Sequence, residues 1–102
     1  MSRVETMNDS PALQNFLAAY FHQDWMMEQS TPEAVVDYFR DSESPEQVMA
    51  TRDDLARLLA RDLDDVTLGA AARRLGSEYD PTRDGGSWHG WLESVLARLT
   101  GG

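Results

Sequence analysis

The segment Ser44-Pro45-Glu46-Gln47-Val48-Met49-Ala50-Thr51-Arg52-Asp53-Asp54-Leu55-Ala56-Arg57-Leu58-Leu59 decides the fold class. It opens on a capping box: the serine hydroxyl can accept from the Gln47 N–H while Gln47 reaches back, and Pro45 stands where a missing N–H costs nothing. Val48, Arg52 through its stem, Leu55, Leu58 and Leu59 follow at helical spacing. Asp53 and Asp54 fall four and three residues before Arg57, so the charge beside that stripe neutralises itself and reads as an ordinary solvated face.

Working outward, the same grammar recurs on both sides. Ser10-Pro11 opens a helix striped with Leu13, Phe16, Leu17, Tyr20 and Phe21, which ends near Phe21. Thr31-Pro32 opens a second, with Val35, Val36 and Phe39 on one face and an end near Asp41. Downstream, Asp64 or Asp65 caps a short helix carrying Val66, Leu68, Ala71, Ala72 and Leu75, and Gly76 sits where a left-handed residue is wanted. After the polar stretch from Ser77 to Gly86, Ser87 caps a last helix with Trp88, Trp91, Leu92, Val95, Leu96 and Leu99. No segment alternates apolar and polar residues over four or more positions. The pattern predicts an all-α fold: one compact bundle of about five short helices over residues 1–102, with residues 1–9 a flexible tail.

Composition narrows the function. At 41% apolar and 26% charged the chain belongs with folded globular proteins, and without cysteine it has neither a disulfide framework nor a thiolate. Residues 1–11 contain Arg3, Glu5 and Asp9 and no apolar run, and no stretch is long enough to cross a bilayer. A cytoplasmic protein without a membrane partner is expected. The net charge of −9 repels phosphate backbones, which argues against nucleic-acid binding. Residues 24–65 hold twelve of the acidic side chains against four arginines, so the negative pole lies mid-chain.

Candidate chemistry is sparse. Asp80-Pro81-Thr82-Arg83-Asp84-Gly85 imitates the start of a calcium loop, but the twelfth position, which must supply a bidentate carboxylate, is Trp91. A connector capping the last helix is the better reading. His22, Asp24 and Glu28 lack the helical i, i+4 pairing that zinc or iron sites commonly use, and His22 reads instead as a tether of the loop after the first helix. No serine has an activating lysine and no dry carboxylate pair is evident, so neither catalytic residues, nor a metal, nor a cofactor is expected.

What remains points to protein binding. Trp25, between Asp24 and the Met26-Met27 pair, is either a core aromatic or part of a binding hot spot. On the second helix Glu33, Asp37 and Asp41 fall at i, i+4 and i+8 with only Arg40 nearby, an arrangement that lowers the helix's own stability. That stripe is either solubility charge or a surface that speeds association with a basic protein.

The run Leu13-Gln14-Asn15-Phe16-Leu17-Ala18-Ala19-Tyr20-Phe21-His22-Gln23-Asp24-Trp25, followed by Thr31-Pro32-Glu33 and Val35-Val36, resembles the opening of a family of immunity proteins from bacterial contact-dependent growth inhibition (CDI) systems. Tyr20, Phe21, His22, Asp24 and Trp25 form its specific core, and the Leu55 to Leu59 helix, Tyr79-Asp80-Pro81 and Trp91-Leu92 are similar in layout. The resemblance implies a non-enzymatic helical protein that binds and blocks the C-terminal domain of a cognate CDI toxin, often a nuclease with a basic substrate surface. Asp24, Trp25, Glu33, Asp37 and Asp41 are then the proposed partner surface, while the Tyr20 to Trp25 string is either toxin contact or a lock between the first two helices. The alternative is a small acidic helical adaptor, or a protein that self-associates through the helix of Trp88 and Trp91, without a toxin partner.

Overall fold

Four capping side chains stand where the sequence places them. Thr31 Oγ1 accepts from the Ala34 N–H at 3.1 Å, Ser44 Oγ from Gln47 at 3.2 Å, Asp64 Oδ1 from Thr67 at 2.7 Å and Ser87 Oγ from Gly90 at 2.9 Å. Each satisfies an N–H that the first helical turn leaves without a partner. The structure, a computed structural model, describes residues 10–22 and 31–101. Among the described residues there are five α-helices and no strand: α1 (Pro11–Tyr20), α2 (Pro32–Ser42), α3 (Pro45–Ala60), α4 (Asp65–Arg74) and α5 (Trp88–Thr100), with a 3-10 turn at Pro81–Asp84. None of these helices is long and apolar enough to cross a membrane.

The core forms where α5 lies against α2, α3 and α4, with α1 laid along α3. Leu13, Phe16, Leu17, Phe21, Val35, Val36, Phe39, Leu55, Leu68, Leu92 and Val95 are buried within it, as are Trp88 and Trp91. Phe16 is the hub of its aromatic part, with ring centroids 4.5 Å from Phe39 and 5.5 Å from Phe21. Full burial of such a side chain stabilises the fold by about 1.5–3 kcal/mol. Trp88 and Trp91, the two residues named for self-association, are thus 4% and 8% exposed.

Three local expectations are corrected. Ser10 makes no side-chain cap to α1; instead Asp54 Oδ2, reaching from α3, accepts from the N–H groups of Ala12 at 3.0 Å and Leu13 at 3.1 Å. Asp54 is therefore not part of a solvated face but buried at 6% exposure, with Thr51 beside it fully enclosed. Val66, expected in the α4 stripe, is 84% exposed. Two residues before the buried Leu68, it is turned by roughly 200° around the helix, away from the core. Gly76 does close α4 with φ +113°, its N–H bonding to the Arg73 carbonyl and that of Ser77 to the Ala72 carbonyl, the paired bonds of a Schellman end.

Close approaches hold α4 in place. A Cβ on Gly69 would come within 2.3 Å of Trp88 Nε1, so only glycine lets α4 approach the start of α5. Asp65, in the first turn of α4, accepts from the N–H groups of Trp88 at 3.1 Å and His89 at 2.9 Å, so a side chain of α4 caps α5.

Candidate functional site

The acidic face of α2 is more structured than its sequence suggests. Glu33 lies in the first turn, where the helix's positive end favours it. One turn on, Asp37 takes a two-pronged bond from α5: Arg98 Nε donates to Oδ1 at 3.2 Å and Nη2 to Oδ2 at 3.0 Å. That hydrogen bonding holds the Asp37 carboxyl below the usual aspartate range and pushes the guanidinium up. Arg40 Nη1 donates to the Arg98 carbonyl at 2.7 Å, and Asp37, Arg40, Asp41 and Arg98 together line a polar depression of about 340 Å³. The repulsion expected along the stripe is thus relieved by Arg98, a charge 61 residues away from Asp37.

The structure separates Glu33 from the other two acids. Glu33 joins Tyr79, Pro81, Asp84 and Trp91 around a second cavity, of about 360 Å³, between α2, the 3-10 turn and the first turns of α5. Tyr79 donates its hydroxyl to Asp84 Oδ2 at 3.1 Å. Burial first, then Asp84, Glu33 and Asp80, push the Tyr79 hydroxyl up to about 12. No periodicity of one helix assembles this group, because its members come from three elements.

The remaining singled-out residues fall as follows. Tyr20 Oη donates to Glu43 Oε2 at 2.7 Å, immediately beyond α2, and its ring stands edge-on to Phe39 at 5.1 Å. Burial, with the Glu43 bond second, pushes that hydroxyl up to about 12. Phe21 is buried, its carbonyl accepting from the Glu78 N–H at 2.8 Å. These two residues tie α1 to α2 and to the segment after α4, and His22 follows them, half-buried. Asp24 and Trp25 lie outside the described residues, as do Met26, Met27 and Glu28. Asp80 is engaged by Thr82, whose N–H and hydroxyl donate to Oδ1 at 2.9 and 2.6 Å, and by Arg73 at 2.7 Å, which fits a connector. Among the described residues no three histidines or carboxylates gather in a way that could hold a metal.

Residues 9–99, nearly the whole chain, match the family of CdiI immunity proteins. The chain belongs to this family. Its fold is shared with a chain in the crystal structure of a CdiA-CT/CdiI complex from Y. kristensenii 33638, with a TM-score of 0.82 at 22% identity, over 88% of this chain and 97% of that one. No curated protein sequence matches. At that identity the structural likeness establishes the fold alone, so it is the family match that joins this helical bundle to the CdiI proteins.

Proposed function

We propose that this CdiI-family protein binds the C-terminal domain of a cognate CDI toxin in the cytoplasm and neutralises it by occluding its working surface, without a reaction of its own. The family match over residues 9–99 carries this reading. The surface we assign to the contact is made by Glu33, Asp37 and Asp41 of α2 together with Asp24 and Trp25, the last two lying outside the described residues. A partner with a basic substrate surface, as in a nuclease, suits a chain of net charge −9, because complementary fields raise the association rate and suppress wrong partners. Pairing of Asp37 with Arg98 leaves Glu33 and Asp41 as the charges with more freedom to meet a partner. Self-association through Trp88 and Trp91 is a poorer reading, since both rings are in the core.

Co-expression of the tagged chain with the C-terminal domain of its cognate CDI toxin tests the proposal. A one-to-one complex that survives purification is the expected result. Absence of any complex, with both chains folded, would remove the proposal.

A further inference from the structure

The cavity bounded by α4, the 3-10 turn and the start of α5 holds a polar group that the fold leaves unanswered. Trp88 is 4% exposed, and among the described residues its indole Nε1–H has no acceptor, whereas its main-chain N–H is taken by Asp65 at 3.1 Å. A buried indole usually finds a hydrogen-bond partner, and one left unpaired costs the fold free energy. Gly69 fixes where that donor stands. A Cβ there would lie 2.3 Å from Nε1, 2.6 Å from Cδ1 and 2.8 Å from Cε2, so the glycine sits under the ring face at its nitrogen. The N–H bond lies in the ring plane and is therefore not directed at the glycine. Gly69 and Trp88 both line a cavity of about 300 Å³, which the nitrogen edge of the ring thus borders.

The rest of the lining narrows what could answer that donor. Val66, 84% exposed, and Ala70 give the cavity an apolar side on α4. Arg73 spends its charge on Asp80 at 2.7 Å and lies over the Trp88 ring at 5.7 Å. Asp65 faces the N–H groups of Trp88 and His89, so its charge is engaged as well. Its Oδ2 accepts one N–H, and Thr82 donates its hydroxyl to Asp80 at 2.6 Å, which leaves an acceptor site on each of these two oxygens. One donor, two acceptors and a short apolar wall, with both charges engaged, suit a neutral group.

We propose that this cavity binds a primary carboxamide, the terminal group of asparagine, glutamine and small free amides. The amide oxygen accepts from Trp88 Nε1, its two N–H donors turn to Asp65 and Thr82, and its stem lies against Val66 and Ala70. A carboxylate of the same shape brings no donor and meets the Asp65 charge. An ammonium brings no acceptor and leaves the indole unpaired. Each mismatch leaves a polar group unsatisfied in an enclosed setting, a discrimination of about tenfold or more. The assignment is independent of the immunity reading.

The test follows the indole N–H signals of the isotope-labelled chain by NMR, with Trp88 assigned through its proximity to Gly69. Propionamide should move the Trp88 signal saturably and leave that of Trp91 in place, with an affinity at least about tenfold above those of propionate and propylammonium. Ala70→Met, at an exposed position of the lining, should fill the cavity and abolish the response while the chain melts like the wild type. Should that variant fail to fold, Thr82→Val, which removes one acceptor and keeps the volume, should weaken propionamide binding by about fivefold. No saturable movement, or equal movement with all three probes, would overturn the site. Two further titrations separate the sources of the group: free glutamine represents a small amide, and the unlabelled cognate toxin domain a protein side chain. Movement of the Trp88 signal in either supports the assignment and names its source. A Trp88 signal silent to glutamine, and silent again in a formed toxin complex, would overturn it.

Discussion

Replacing Asp54 by alanine should remove a large part of the stability of this chain. The carboxylate is 6% exposed, and its Oδ2 is the acceptor for the Ala12 and Leu13 N–H groups, at 3.0 and 3.1 Å. Helix α1 has no side-chain cap at Ser10, so both donors would lose their acceptor, the Leu13 N–H in a buried setting and the Ala12 N–H in a part-buried one. Loss of a helix cap costs about 0.5–2 kcal/mol, and a hydrogen bond to a charged group contributes about 1.5–3 kcal/mol. The Arg57 partner is 59% exposed and adds little, because solvent screens it. A loss of about 3 kcal/mol is expected, which for a domain of this size lowers the melting temperature by roughly 12–20 °C. Asp54→Asn retains an acceptor oxygen and should lose only about 1 kcal/mol. Urea unfolding followed by circular dichroism measures both, with the slope against denaturant unchanged. If Asp54→Ala unfolded within about 0.5 kcal/mol of the wild type, α1 would not depend on α3 for its cap, and the reasoning would fail.

Other outcomes follow from the same contacts. Gly69→Ala should destabilise by roughly 2 kcal/mol despite alanine's higher helix propensity, because its Cβ would meet the Trp88 indole at 2.3 Å; a melting temperature at or above wild type would show that α4 can move away freely. Arg98→Met should change stability by less than about 1 kcal/mol, since arginine and Asp37 side chains are 40% and 46% exposed, and a larger loss on thermal melting would contradict the screened geometry. Asp37, Asp64, Asp65 and Asp80 all have folded values held below the unfolded one by hydrogen bonds, so their contribution is present above about pH 3.9 and fades as pH falls through the folded values. Tyr20 and Tyr79, raised to about 12, favour the fold below about pH 10, and that contribution is lost between there and about pH 12. The melting temperature should therefore fall at both extremes, and a rise on acidifying from about pH 5 to 3 would contradict the aspartate assignments.

Local chemistry was legible in the sequence and long-range chemistry was not. Thr31, Ser44, Asp64 and Ser87 cap the helices that follow them, because the donor each serves lies three residues on. Asp54 and Asp65 cap helices 41 and 23 residues away, and nothing in their neighbourhoods distinguishes them from surface acids. The same limit explains Asp37: its helix looks self-repelling until Arg98 is folded against it. The apolar stripes of α1, α2 and α5 were readable because core-facing positions repeat at helical spacing, whereas Val66 fails because a short helix tolerates one apolar residue outside its stripe. Of the site, Glu33, Asp37 and Asp41 could be picked out as a charged stripe. Tyr79, Asp84 and Trp91 could not be joined to Glu33, since a cavity built from three elements leaves no periodic trace.

The most direct measurement of the central claim is titration of the cognate toxin domain's own activity with this chain, together with growth of cells that express the toxin domain with and without it. The proposed immunity function predicts activity falling to background at one molar equivalent and full restoration of growth. Persisting toxin activity at several equivalents, in the presence of a formed complex, would contradict neutralisation by occlusion.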